Sequence, residues 1–168
     1  LLSSAGQARP ITYWDEIYAS ASDLSKRDAA GNIVSSVMAL GEARNISNFK
    51  DILSLLLLQA GTPITAFIGT ELRSQILSNK FNLPISPGEA ALDFYTQFSN
   101  PTSPYYTWNP SLPNDKQQFL AGRVALYIGY ASEFADMKKK NPNLHFDVAF
   151  MPQRATSNTK MTYGTMHS

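Results

Sequence analysis

Cysteine is absent from the sequence, which excludes disulfides, a thiol nucleophile and thiolate metal ligands within these 168 residues. Neither sign of charge predominates, because the sequence has 14 Lys and Arg residues and 13 Asp and Glu residues. A formal net charge of +1 creates no field that would attract nucleic acid or an anionic membrane. The basic run from Lys138 to Lys140 lies where a helix is predicted to end, and there it complements the helix dipole. We therefore expect no nucleic-acid partner.

Long hydrophobic runs are also missing. The longest, Leu53 to Leu58, includes a serine and falls far short of the roughly 20 apolar residues that span a bilayer. No signal-peptide pattern is visible at Leu1 to Ser4. We therefore expect neither a transmembrane segment nor an export signal in this chain. Both ends look cut, since residues 161–168 read like a strand just beginning, and we interpret the chain as a piece of a longer protein.

Motifs for catalysis are scarce as well. The two histidines, His145 and His167, have no spacing that suggests a metal pair, and neither a Gly-x-Ser-x-Gly elbow nor a phosphate-binding glycine loop occurs. Compensation of helix dipoles explains the acidic residues at predicted helix starts, which are Asp15, Glu16, Asp51, Glu89, Asp115 and Glu133. We therefore predict no catalytic residue, no metal and no cofactor. A glycosidase-type pair of carboxylates stays open as the enzyme alternative.

Predicted helices and strands alternate along the chain, which favours an α/β fold in layers. A first helix, capped by Thr12, has an apolar stripe formed by Trp14, Ile17, Ala21 and Leu24. A buried strand at 33–40 and a core helix at 52–58 follow, and Asn48 is the candidate cap of that helix. Ser86-Pro87-Gly88-Glu89 predicts another helix start. Weaker patterns indicate a short helix at 72–77 and a strand at 146–150.

A proline-rich loop at 101–113 displays Tyr105, Tyr106 and Trp108. Because Trp108 stands among prolines and tyrosines, we predict that its ring is at least partly exposed. Trp14, in contrast, belongs to a continuous apolar stripe and is predicted to be buried.

Polar residues follow the predicted strand that ends at Gly129. Tyr130, Ser132 and Glu133 stand at the start of the next helix, and a similar group at another helix start consists of Asn45, Asn48 and Asp51. In open α/β sheets, ligands bind beyond the carboxyl ends of strands and beside helix amino termini, so we expect the two groups to share one cleft. An aromatic face with short polar side chains suits a sugar. The alternative is that Ser132 only caps its helix and Tyr130 packs in the core.

Short motifs along nearly the whole chain carry a family resemblance. They are Pro10-Ile-Thr-Tyr-Trp-Asp-Glu16, Ala39-Leu-Gly41, Asn45-Ile46, Asp51-Ile-Leu53, Gln59-Ala-Gly61, Ala90-Ala-Leu-Asp-Phe-Tyr95, Phe119-Leu-Ala-Gly122, Val124-Ala-Leu126, Gly129, Pro142-Asn-Leu-His-Phe-Asp-Val148 and Pro152. In order and spacing they resemble the second lobe of bacterial extracellular solute-binding proteins of family 1, the sugar-binding class of ABC importers. The chain departs from that pattern at two positions. Tyr13 is inserted between the threonine and the tryptophan, and Ser132 stands where the family often has a ligand-stacking tryptophan.

The resemblance implies a periplasmic-binding-protein-like lobe of type II, with helices layered on a small mixed sheet, and residues 1–168 forming that single lobe without the first lobe and the final helices. It implies a binding role in carbohydrate transport, with ABC permease subunits as partners of the parent protein. The parent is expected at the extracellular face or in the cell envelope, often as a lipoprotein. The predicted ligand-binding residues are Asn45, Asn48, Asp51, Tyr130, Ser132, Glu133, Tyr163 and Gly164.

Two other classes of function stay open. A glycan-acting enzyme would need two carboxylates facing each other in a pocket. A structural or interaction module would lack a cleft lined by polar and aromatic side chains. The sequence also leaves open whether the solute is a sugar, a peptide or a polyol.

Overall fold

A computed structural model describes residues 9–80, 82–156, 159–162 and 164. Its α-helices are α1 (Glu16–Leu24), α2 (Phe49–Gln59), α3 (Pro87–Thr96), α4 (Asp115–Leu120) and α5 (Phe134–Lys140). Its strands are β1 (Lys26–Arg27), β2 (Ile33–Met38), β3 (Thr65–Ile68), β4 (Glu71–Ser74) and β5 (Val124–Leu126). Single turns of 3-10 helix at Gln97–Ser99 and Ala131–Glu133 extend α3 and precede α5.

The central sheet has the strand order β1-β2-β5 and is mixed. Strand β1 pairs antiparallel with β2, whereas β5 pairs parallel with β2, with Ser36 opposite Val124 and Met38 opposite Leu126. Helices pack against this sheet, so the fold is mixed α/β with helices on small sheets, as the sequence predicts. Since β2 and β5 are parallel, their carboxyl ends meet at one edge of the sheet.

A second sheet is the hairpin β3–β4, in which Phe67 lies opposite Leu72 and Ile68 opposite Glu71. The prediction of a short helix at 72–77 is therefore wrong. A two-residue turn, Gly69-Thr70, joins the strands, and Gly69 has a φ of +65° that suits glycine. Two short apolar runs on either side of such a turn are typical of a hairpin, which explains why strand pairing prevails there.

The predicted strand at 146–150 is also wrong, because no strand forms within 141–150, all of which the structure describes. The chain regains sheet-like pairing later, at a single parallel bridge between Tyr13 and Gln153. There Trp14 N–H donates to Gln153 O at 3.1 Å and Gln153 N–H donates to Thr12 O at 2.9 Å.

The helix starts follow the sequence with one correction. Ser86 accepts a hydrogen bond from Glu89 N–H, which confirms the predicted cap. Helix α1 starts later than predicted, with Asp15 rather than Thr12 at the cap position. The Glu16 carboxylate accepts a hydrogen bond from Thr12 N–H at 3.0 Å. Thr12 is therefore bonded to the first turn of α1 through its backbone, and it does not cap the helix.

The main core lies between the central sheet and helices α1, α2 and α3. Trp14 is buried there as predicted, and its Nε1–H donates to Gln59 Oε1. The prediction for Trp108 is wrong, because its side chain is only 1% exposed. The backbone N–H groups of Thr107 and Trp108 both donate to Phe98 O, which draws the proline-rich loop onto the core.

Candidate functional site

Two helix starts meet at the carboxyl edge of the parallel pair β2–β5. The loop after β2 leads into α2, and the loop after β5 leads into the 3-10 turn before α5. The Tyr130 hydroxyl donates to Asp51 Oδ2 at 2.6 Å and joins the second loop to the first turn of α2. Tyr130 and Asp51 are both half-buried, so each residue keeps part of its surface in contact with solvent.

Asn48 occupies the cap position of α2, but its side chain makes no capping hydrogen bond. Its Nδ2–H₂ donates instead to Ile128 O at 3.0 Å and to the Tyr127 hydroxyl at 3.2 Å. Asn48 therefore fixes the distance between α2 and the loop that carries Tyr130.

The Glu133 carboxylate accepts hydrogen bonds from three donors of the protein. Its Oε1 accepts from Lys116 Nζ at 2.9 Å, and its Oε2 accepts from the Tyr127 hydroxyl at 3.0 Å and from Tyr130 N–H at 3.2 Å. Both carboxylate oxygens are thus engaged within the protein. This arrangement orients the turn that presents Tyr130.

Gly129 is explained by close packing inside the loop. A Cβ atom at this position would collide with the Glu133 carboxylate and with the Tyr127 ring. The sequence suggested that this glycine lets the backbone approach a ligand. The structure instead fills the space above Gly129 with protein atoms.

Asn45 is buried, and its side chain is bonded on every side. Its Oδ1 accepts from Trp108 Nε1–H at 3.0 Å, and its Nδ2–H₂ donates to Asn109 O and Leu112 O, each at 2.9 Å. These bonds hold the proline-rich loop beside the site. Contact between Asn45 and a ligand stays a prediction.

The other predicted ligand residues are exposed at the surface or lie outside the described residues. Ser132 is exposed in the turn after Tyr130. Gly164 is exposed, whereas Tyr163 lies outside the described residues. The structure therefore brings together Asn48, Asp51, Tyr130 and Glu133.

The electrostatics of the site favour a neutral tyrosine. Burial raises the pKa of the Tyr127 phenol, and the neighbouring Glu133 carboxylate raises this pKa further. A hydrogen bond from Lys140 lowers the pKa of Asp136, whose carboxylate lies 3.7 Å from Nζ of Lys116, the lysine that also binds Glu133. Tyr127 thus stays protonated and able to donate its hydrogen bond to Glu133.

Sequence reasoning missed Tyr127 and Lys116. Tyr127 directly follows β5 and could have been assigned to the site by the rule that placed Tyr130 there. Lys116 stands 17 residues before Glu133, and its contact with Glu133 depends on how α4 packs. A single sequence carries no local signal for such a pair.

A cleft of about 670 Å³ adjoins the site between β5 and segment 144–152. It touches the site at Tyr127 and Ile128 and is otherwise lined mainly by apolar groups such as Val124 and Leu126. None of the predicted ligand residues in the described part of the chain lines it. We place the candidate site at the Tyr130–Asp51 contact, where polar groups converge.

The sequence matches no protein-family model, and comparisons with curated proteins and solved structures find no significant match. Among the described residues, no three His, Asp or Glu side chains come close enough together to hold a metal ion. In the same part of the chain, no helix has the length and apolar character needed to cross a membrane.

Proposed function

We propose that this chain is the ligand-binding lobe of an extracellular solute-binding protein that delivers a small polar solute, with carbohydrate as the first candidate, to an ABC transporter. The observation that carries the proposal is the Tyr130–Asp51 contact at the carboxyl edge of β2 and β5. Ligands of open α/β sheets bind at such an edge, where loops and helix starts converge. The resemblance of the ordered motifs to this class of proteins supports the same function.

The side chains at this edge suit a sugar. Tyr130 offers a partly exposed aromatic ring, which can cover the apolar face of a sugar ring. Asp51 and Ser132 offer oxygen atoms to the hydroxyl groups around its rim. In this proposal Asn48 and Glu133 position the loops, since their polar atoms already bond to the protein.

The parent protein would lie outside the cell or in its envelope, with permease subunits as partners. Binding by this chain alone is expected to be weak. Small-molecule sites typically enclose about 70–90% of the ligand surface, and a single lobe provides one wall of such a site. A loss of roughly 4 kcal/mol of contact energy moves a micromolar site to the millimolar range.

The proposal can be tested by following backbone amide resonances of the chain while it is titrated with glucose, maltose and maltotriose. We expect millimolar binding, with the largest shift changes at Asp51, Tyr130 and Ser132. Sorbitol and a neutral tripeptide serve as probes of the polyol and peptide alternatives.

Two variants sharpen this experiment. Tyr130→Ala removes the ring and the hydroxyl, so the shift changes with sugar should disappear. The matched control is Tyr106→Ala, because Tyr106 lies in the proline-rich loop and its hydroxyl accepts from Asn109. If no probe shifts the amides at this edge, or if both variants respond to sugar equally, the proposed function is wrong.

A further inference from the structure

The hairpin β3–β4 exposes apolar side chains that the other described residues do not cover. Phe67 is 71% exposed and Leu72 is 60% exposed, and the two lie opposite each other in the hairpin register. They therefore share one face of the hairpin. Ile68, Glu71 and Arg73 belong to the other face, since side chains alternate along a strand. Exposed apolar groups that lie side by side favour a contact with another molecule.

The outer edge of β4 also has backbone groups available for pairing. Gln75 N–H donates to Ile64 O at 3.0 Å, which marks the pair 64/75 as hydrogen-bonded. Hydrogen-bonded pairs alternate along an antiparallel ladder, so Arg73 and Glu71 also bond to β3. The N–H and C=O groups of Leu72 and Ser74 consequently point away from β3. In the described part of the chain, this sheet contains β3 and β4 alone.

We propose that β4 pairs antiparallel with β4 of a second copy of this chain, about a two-fold axis at Leu72. The result is a four-stranded sheet in the order β3-β4-β4-β3. Leu72 then exchanges both of its outward backbone hydrogen bonds with the partner's Leu72. The site at Tyr130 takes no part, so this inference is independent of the proposed function.

Charge complementarity selects the second copy as the occupant. With the axis at Leu72, Glu71 lies directly opposite the partner's Arg73, and Arg73 lies opposite the partner's Glu71. Opposite charges in directly facing positions stabilise an antiparallel pair. On the other face, Leu72 lies beside the partner's Leu72. The two Leu72 side chains and the Phe67 side chain opposite each of them then form one apolar row across the four strands.

Neighbouring registers are disfavoured by the same residues. An axis at Glu71 places two carboxylates opposite each other, and an axis at Arg73 does the same with two guanidinium groups. Like charges in facing positions destabilise a strand pair. The four residues of β4, Glu-Leu-Arg-Ser, thus favour one self-pairing register.

Charge reversal tests the proposal. The dissociation constant of the unmodified chain is measured by analytical ultracentrifugation up to millimolar concentration, beside Glu71→Arg and Arg73→Glu. In each variant two attractive charge pairs become repulsive. We therefore expect the dissociation constant of its dimer to be at least about tenfold higher than that of the unmodified chain. An equal mixture of the two variants restores both attractive pairs and should regain the affinity of the unmodified chain as a heterodimer.

The mixture separates contacts between chains from contacts within one chain. Arg73 also forms an exposed ion pair with Glu71 of its own chain at 2.7 Å, and this pair is lost in both variants and in their mixture. Recovery on mixing can therefore come only from pairing between copies. Circular dichroism confirms that each variant keeps its fold.

Hydrogen exchange on the unmodified chain provides a second measurement. Exchange at Leu72 N–H should slow as the protein concentration rises, whereas Arg73 N–H, already bonded to β3, should change little. Three results would each overturn the proposal: a monomer at every concentration, a mixture no tighter than its components, or assemblies that do not respond to charge reversal.

Discussion

The Tyr130 hydroxyl donates a 2.6 Å hydrogen bond to Oδ2 of Asp51, and this bond joins the loop after β5 to the first turn of α2. The two segments are 79 residues apart in sequence and follow the two parallel strands of the central sheet. Tyr127 strengthens the same junction, because its hydroxyl accepts from Asn48 and donates to Glu133. The candidate site is therefore held together by contacts that can be removed one at a time.

Removal of the Tyr130 hydroxyl should weaken this junction. Hydrogen bonds to charged groups contribute about 1.5–3 kcal/mol, and because this pair is partly exposed we expect Tyr130→Phe to lower the free energy of unfolding by about 1 kcal/mol. Urea denaturation measures the change. Tyr106→Phe is the control, since its hydroxyl accepts a hydrogen bond from the uncharged side-chain amide of Asn109. Equal losses in the two variants would contradict the charge-assisted bond.

Gly129→Ala tests the packing inside the loop. The new methyl group meets the Glu133 carboxylate and the Tyr127 ring, so both of these side chains have to move. We expect a loss of about 1–3 kcal/mol in the free energy of unfolding, as is typical of overpacking. Ser132→Ala, an exposed change three residues away, should alter stability by less than about 0.5 kcal/mol. A Gly129→Ala variant as stable as the parent chain would show that the space above this glycine can open freely.

Asn45→Ala should be among the more damaging polar substitutions. It leaves Trp108 Nε1–H and Leu112 O without their Asn45 partner, whereas Asn109 O keeps the hydrogen bond from Leu112 N–H at 3.3 Å. An unsatisfied buried polar group costs about 1–3 kcal/mol, so a total loss of roughly 2–4 kcal/mol is expected. Asn143→Ala, at an exposed asparagine, is the matched control. If Asn45 served only a ligand, both variants would unfold at the same urea concentration.

Both tryptophans should resist iodide quenching. Trp14 and Trp108 are 3% and 1% exposed, and each donates its indole N–H to a buried side-chain oxygen. The single-tryptophan variants Trp14→Phe and Trp108→Phe allow each ring to be measured alone. Efficient quenching of Trp108 in the folded chain would show that the proline-rich loop opens in solution.

The sequence predicted those parts of the fold that local rules determine. The serine cap of α3 depends on residues three positions apart, and the apolar stripe of α1 follows helical spacing. The meeting of the two helix starts also followed from a general rule about parallel strands. In each case the signal lies within a few residues of the feature.

The errors concern features that distant contacts determine. Trp108 was predicted to be exposed from its proline-rich surroundings, but hydrogen bonds to Phe98 and Asn45 bury it. The strand expected at 146–150 has an alternating pattern, yet it forms no ladder with β5 in the structure. Strand pairing requires a partner at the right edge, and the pattern of one segment does not specify that partner.

Alkaline pH should destabilise the chain, and Tyr127 should account for part of the effect. Burial and the Glu133 carboxylate raise the pKa of Tyr127 in the folded state, whereas tyrosine in an unfolded chain ionises near pH 10. The folded state thus holds this proton more tightly. Its contribution to stability is complete below about pH 10 and is lost as the pH rises toward the folded-state pKa.

Tyr127→Phe removes this titration and should therefore flatten the fall in unfolding free energy above about pH 10. The variant should also be less stable at neutral pH, because the bonds to Asn48 and Glu133 are lost, so the slope against pH is the quantity to compare. Burial also raises the pKa of Tyr95, so some dependence on pH should remain in the variant. Urea denaturation at a series of alkaline pH values measures the unfolding free energy and its slope against pH for the parent chain and the variant. Tyrosinate absorbance provides a second signal. Identical slopes for the parent chain and the variant would mean that Tyr127 is solvated in the folded state, contrary to its place between Asn48 and Glu133.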